Sequence, residues 1–170
     1  MAVLPEEFTV RFVRARRLVW EDSDEFFSLH NDPAVMATLG GMRDRATTTE
    51  YMTKNIAHWD DHGYGMYALR HMDDDRHVGR AGLRQVEIEG VGEIEVGYAL
   101  MSEFRGNGLA VDVTEALVSL ASAAEMCETL VAFTLPTNHR SRRVMEKSGF
   151  LFERRFDHGG SPHVLYRRRL

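Results

Sequence analysis

The sequence predicts a mixed α/β (α+β) fold: one domain over residues 1–170, built on a sheet with both antiparallel and parallel neighbours. Three observations lead there. The element order is a strand, two or three helices, three strands, a helix, a strand, a helix and two strands. The three middle strands are joined by short polar turns, which pair strands antiparallel. The next helix separates two strands, and a strand–helix–strand unit places parallel neighbours side by side through a right-handed crossover.

Each element has its own signal. "FTVRFVRA" (8–15) alternates apolar and polar residues as one strand. "VWEDSDEFFSLHNDPAVMATL" reads as a helix with Asp22 or Ser23 as N-cap, redirected at Pro33 into a short second helix closed by glycines. "TTTEYMTKNIAHWDDHG" is a third helix, capped by a threonine, with Tyr51, Met52, Ile56 and Trp59 on its apolar face and Gly63 as its stop. "YGMYALRH", "VGRAGLRQVEI" and "EIEVGYAL" are strands, the first two joined by the charged turn "MDDDRH". "AVDVTEALVSLASAAEM" spaces Ala110, Val113, Leu117, Leu120, Ala121 and Ala124 as one helical face. "TLVAFTLP", the short helix "HRSRRVMEKSG" ended by Gly149, and the strands "FLFERRFD" and "PHVLYRRRL" complete the chain.

Composition narrows the function. A net charge of −5 argues against binding a nucleic-acid backbone, which needs a surplus of Lys and Arg. The longest apolar run falls short of the ~20 residues of a membrane span, and "MAVLPEEFTV" lacks the pattern of a secretory signal. The lone Cys127 has no intrachain disulfide partner, so a cytoplasmic, reducing location is expected. His58 and His62 stand four apart, but no third ligand accompanies them and no metal is expected. "YRRRL" reads as a charged terminal strand.

The stretch "EIEVGYALMSEFRGNGLA" (93–110) carries the chemistry: a strand empties through a glycine turn into a helix. Amides at a helix start lack intrahelical acceptors and bind anions where glycine lets a ligand approach. Gly106 and Gly108 make either a diphosphate cradle or an ordinary N-terminal loop. No G-K-[ST] follows, and no G-x-G-x-x-G is present, so neither a P-loop nor a dinucleotide fingerprint is supported.

Arg105-x-x-Gly108-x-Ala110 resembles the R/Q-x-x-G-x-G/A signature of the GNAT N-acetyltransferases. "EVGYAL", "NHRSRRVMEKSGF" and "WEDSDEFFSLHNDPAVMATL" resemble further motifs of its ribosomal-protein (RimJ/RimL-like) branch, in the family's order and over essentially the whole chain. The resemblance implies a mostly antiparallel sheet with a central parallel strand pair that splays apart, and helices on both faces. It implies acetyl-CoA as cosubstrate. Backbone groups of Tyr98, Ala99 and Leu100 would pair with the pantetheine arm. The amides of Arg105, Gly106, Asn107, Gly108, Leu109 and Ala110 would hold the diphosphate, with Asn138 and Ser141 near the thioester. The acceptor is a primary amine, on a protein N-terminus or a small molecule; a homodimer is common among such folds. A non-catalytic CoA-binding sensor or scaffold is the alternative.

The reaction requires a neutral amine. Deprotonation at pH 7 costs about 4.6 kcal/mol for a lysine-like amine and about 1 kcal/mol for an α-amine, while the leaving thiolate needs about 2 kcal/mol of help. Glu93 and Glu95 share one strand face unless a bulge intervenes, and neighbouring carboxylates raise each other's pKa as a base requires. Glu95 occupies the family's E-x-G-Y position and is the preferred base; a solvated acidic face is the alternative. The family's tyrosine acid falls on Met145, which leaves Ser141 as candidate acid or as a local cap beside Asn138. A strand amide near Val96 or Tyr98 would serve the developing oxyanion. Arg140, Arg142 and Arg143 are candidates for the CoA 3′-phosphate; Trp20 and Trp59 belong either to the acceptor pocket or to the core.

Overall fold

The computed structural model describes residues 3–170; part of the N-terminal signal reading lies outside them, at residues 1–2. In chain order the elements are β1 (Glu7–Val10), β2 (Val13–Arg17), α1 (Ser23–His30), α2 (Pro33–Met36), α3 (Arg45–His62), β3 (Met66–His71), β4 (His77–Ile88), β5 (Val91–Leu100), α4 (Leu109–Ala123), β6 (Thr129–Thr134), α5 (His139–Lys147), β7 (Leu151–His158) and β8 (Ser161–Arg169). The strands form one sheet in the order β1-β2-β3-β4-β5-β6-β8-β7. All neighbours are antiparallel except β5 and β6.

Helices cover both faces. On one, Phe26 of α1 and Met52 of α3 pack on Met66 and Ala68 of β3, and Leu29, Val35 and Met36 close over Ala99. On the other, Leu109, Val113 and Leu117 of α4 pack on Val96 and Leu100. Trp59 joins the core, donating Nε1–H to the Met66 carbonyl at 2.7 Å, while Trp20 is exposed. Neither lines the cleft described below. No helix among the described residues is long and apolar enough to cross a membrane.

Three local expectations are corrected. "FTVRFVRA" is two strands, folded back with Val10 opposite Val13 because Arg11 adopts φ 52°. A non-glycine residue there costs about 1–2 kcal/mol; Arg11 offsets it by donating to the Asn107 carbonyl at 2.9 Å and the Asp112 carboxylate at 3.2 Å. Asp44, rather than a threonine, caps α3, its Oδ1 accepting from the Thr47 amide at 2.7 Å. Asp22 precedes α1 but does not cap it. Its fully buried carboxylate accepts from Arg16 at 2.7 Å, Arg70 at 3.1 Å and the Val19 amide at 3.0 Å, tying β2, β3 and α1 together.

Two features of β5 position the site. Its register with β4 runs unbroken from Gly79 opposite Leu100 to Ile88 opposite Val91, so no bulge alters its parity and Glu95 faces Arg84. Its parallel register with β6 is confined to Glu95 opposite Val131. Beyond that point the two strands part.

Candidate active site

The parting of β5 and β6 opens a cleft of about 380 Å³. Val35, Leu39, Arg80, Arg84 and Glu95 line it from one face of the sheet, and Asn138, Ser141 and Met145 from the α5 side. The segment Val96–Leu100 forms its edge, and the loop before α4 closes one end.

In that loop Gly106 and Gly108 both take left-handed φ, at 84° and 85°, a region open to glycine at little cost. A Cβ added at either would meet no protein atom within 4 Å. Among the described residues, the amides of Gly106, Asn107, Gly108 and Ala110 donate to no protein acceptor, whereas Leu109 donates to Asn107 Oδ1 at 3.1 Å. Free donors at the start of a 15-residue helix, facing open space, fit an anion such as a diphosphate. Arg105 is a brace: its Nε donates to the Leu100 carbonyl at 2.9 Å and its Nη1 to Ala34 at 3.2 Å. Burial, with Arg140 beside it, lowers its pKa. The contribution of Arg11, which pins the loop from the β1–β2 turn, had no local signal in the sequence, since 96 residues separate the partners.

Most of the predicted site residues converge on this cleft: Glu95, Tyr98, Ala99, Leu100, Arg105, Gly106, Gly108, Leu109, Ala110, Asn138 and Ser141 all line it. Asn107 and Glu93 do not. The mutual repulsion expected of Glu93 and Glu95 is replaced by two separate ion pairs. Glu93 takes both Nη atoms of Arg167, at 3.0 and 2.7 Å. Glu95, nearly fully buried, takes Arg84 Nε at 2.5 Å, and its charge raises the Arg84 pKa.

Across the cleft, Asn138 caps α5 by accepting from the Ser141 amide at 3.2 Å. The Ser141 hydroxyl lies 3.0 Å from Tyr98 Oη. Burial raises the Tyr98 pKa, so its phenol keeps its proton throughout the physiological range. Met145, at the position where the family's tyrosine would stand, is packed into the core at the cleft wall. Of the three arginines of α5, Arg140 and Arg143 line the cleft, while Arg142 is held by Tyr166 Oη at 3.0 Å and the Pro136 carbonyl at 3.1 Å. Both ring nitrogens of His58 are engaged, Nδ1 with the Tyr64 carbonyl and Nε2 with the Gln85 amide, which leaves neither for a metal.

Comparison with known proteins agrees with this architecture. The curated protein YkkB of Bacillus subtilis (strain 168), itself uncharacterized, is 26% identical over 159 residues, covering 92% of each chain. A putative GnaT-family acetyltransferase from Bordetella pertussis superposes with a TM-score of 0.84 at 19% identity, over 96% of this chain and 99% of that one. RimL, a ribosomal L7/L12 α-N-protein acetyltransferase solved in complex with coenzyme A, superposes with a TM-score of 0.80 at 16% identity, over 99% and 98%. The family model of the acetyltransferase (GNAT) domain matches residues 13–151, and the chain belongs to that family.

Proposed function

We propose that the chain is an acetyl-CoA-dependent N-acetyltransferase of the RimJ/RimL-like branch, a single domain over residues 1–170 that works in the cytoplasm on a primary amine. One observation carries the reading: free loop amides at the start of α4 stand at the end of a gap where two parallel strands part. Bound acetyl-CoA supplies an activated acyl group; the chain's own residues do the rest. The free amides of Gly106, Asn107, Gly108 and Ala110 receive the diphosphate, and the β5 edge at Tyr98–Leu100 offers backbone partners to the arm; the Arg105 and Leu109 amides are already engaged, by the Ser102 carbonyl and Asn107 Oδ1. Arg140 and Arg143 are placed to meet phosphate charge.

Glu95 stands on one side of the gap and Ser141 on the other. Glu95 accepts the amine proton, with Arg84 fixing the carboxylate in place. An α-amine needs only about 1 kcal/mol of help against about 4.6 for a lysine-like amine, so it makes the smaller demand on the base. Ser141 Oγ, with Tyr98 Oη behind it, holds a proton for the departing sulfur. Glu93, committed to Arg167 outside the cleft, has no part in the chemistry.

The test is free-thiol release from acetyl-CoA against a panel of amines, alongside calorimetric binding of CoA. Thiol release with α-amines supports the reading. CoA binding with no release from any amine turns it toward a sensor, and absence of CoA binding overturns it.

A further inference from the structure

The cleft wall contributed by β4 carries a charge that the fold leaves unanswered. Arg80 is only 6% exposed and lines the cleft, yet among the described residues no carboxylate pairs with it. Its Nε is buried without a hydrogen-bond partner. Its guanidinium lies over the Tyr51 ring at 5.1 Å, and its Nη1 meets the Met66 sulfur at 4.0 Å. The Tyr51 hydroxyl is likewise buried without a partner. A buried guanidinium and a buried hydroxyl that each leave an atom unpartnered are costly to a fold unless something else completes them.

The surroundings are positive throughout. Arg43 lies over the same Tyr51 ring at 5.5 Å, with the Leu39 carbonyl at 3.4 Å and, among the described residues, no carboxylate partner; burial together with Arg80 lowers its pKa. Burial, with Arg80 and Arg43 adding to it, drives the His30 pKa down to about 3, so this imidazole is neutral. Asp22 and Glu25 are already committed to Arg70. Glu95 is the one carboxylate lining the cleft among the described residues, and it answers Arg84. Arg80 and Arg84, the two guanidinium groups on the β4 wall of the cleft, therefore face a single negative charge.

Resting on the acetyltransferase reading above, we infer that the acceptor amine carries an anionic group, a carboxylate or a phosphate, received by Arg80 at the cleft wall. Arg80 stands on β4 opposite Ala99, and Arg84 stands opposite Glu95, on the same strand face. Four residues of strand, about 13 Å of backbone, separate the two positions, so an acceptor held at Arg80 presents its amine to Glu95 when several bonds separate amine and anion. Polycationic acceptors, such as polyamines and aminoglycosides, meet the unanswered Arg80 guanidinium there and are disfavoured.

The experiment titrates inorganic phosphate and acetate, separately, into CoA-saturated protein by calorimetry, for wild type, Arg80→Met and Arg80→Lys. Saturating CoA occupies the loop at 105–110, so added anion reports on the acceptor side, and the two arms distinguish phosphate from carboxylate. Wild type is expected to bind at least one anion at millimolar concentration. Arg80→Met should weaken that binding at least 10-fold with CoA affinity unchanged, and Arg80→Lys should recover part of it. The melting temperature of Arg80→Met should equal or exceed that of wild type, because a thioether replaces an unpaired buried charge. Thiol release should favour triglycine, whose α-amine and carboxylate are several bonds apart, over its C-terminal amide. CoA binding without Arg80-dependent anion binding, a large drop in melting temperature, or preferred turnover of spermidine or kanamycin overturns the inference and leaves the acetyltransferase reading intact. Failure to bind CoA overturns that reading itself.

Discussion

Replacing Gly108 by valine separates the role of the loop from that of the rest of the cleft. Gly108 sits at φ 85°, ψ −1°, and a non-glycine residue in that region costs about 1–2 kcal/mol. An added Cβ meets no other residue within 4 Å, so the cost in the free protein comes from the local backbone conformation and not from packing. If the backbone holds its shape, the penalty falls on stability, and the melting temperature drops by about 2–4 °C per kcal/mol. If the backbone relaxes, the free amides turn away from the diphosphate, and each hydrogen bond lost to a charged group removes about 1.5–3 kcal/mol. Either way, branched carbons stand in the space the anion needs. CoA affinity should fall at least 10-fold by calorimetry. Pantetheine, which has no diphosphate, should bind Gly108→Val and wild type alike. Gly108→Asn, whose side chain tolerates left-handed backbone, should be less destabilised than the valine variant. Unchanged CoA affinity, or an equal loss for CoA and pantetheine, would mean that the loop amides do not hold the diphosphate.

Other expectations follow from the same geometry. Glu95→Gln should lower kcat by about 10²–10⁴, the usual contribution of a positioned base, while Glu93→Gln should change it less than about threefold; equal effects would remove Glu95 from the chemistry. Asp22→Asn breaks a buried ion-pair hub and should destabilise by about 3–5 kcal/mol in urea titrations, whereas a loss below about 1 kcal/mol would mean that Arg16 and Arg70 need no anion there. Burial holds His30 neutral down to about pH 3 and His77 down to about pH 4, although each would take a proton near pH 6.5 in the unfolded chain. Acidification therefore favours the unfolded chain, and the stability present above pH 6.5 is lost as pH falls toward those values. By pH 5 the loss is about 2 kcal/mol for each histidine. His30→Gln should flatten the fall in melting temperature between pH 7 and 5; an equally steep fall in that variant would discount His30.

The parts of the fold legible in the sequence are those whose signals are local. The alternation of β5 together with Gly106 and Gly108 located the strand, the turn and the start of α4, because periodicity and left-handed glycine are properties of neighbouring residues. The break at Arg11 was hidden because "FTVRFVRA" alternates across it, and the bonds that hold Arg11 come from the far end of the chain. Asp22 looked like a cap because an acid before a helix usually is one; the two arginines that bury it lie on strands the pattern could not bring near. Glu93 and Glu95 share a strand face as their spacing required, but cross-strand neighbours decide what a carboxylate does, and each found its own arginine. Arg43, Arg80 and Tyr51 come from separate elements, and each alone reads as an ordinary solvated or core residue.

A crystal structure with CoA tests most directly whether the parted strands and the free amides form one coenzyme site. The diphosphate should lie on the free amides of Gly106, Asn107, Gly108 and Ala110, with the pantetheine arm along Tyr98–Leu100 and its sulfur between Glu95 and Ser141. A coenzyme bound elsewhere, or β5 and β6 closed together past Glu95 and Val131 with the loop amides turned inward, would contradict it.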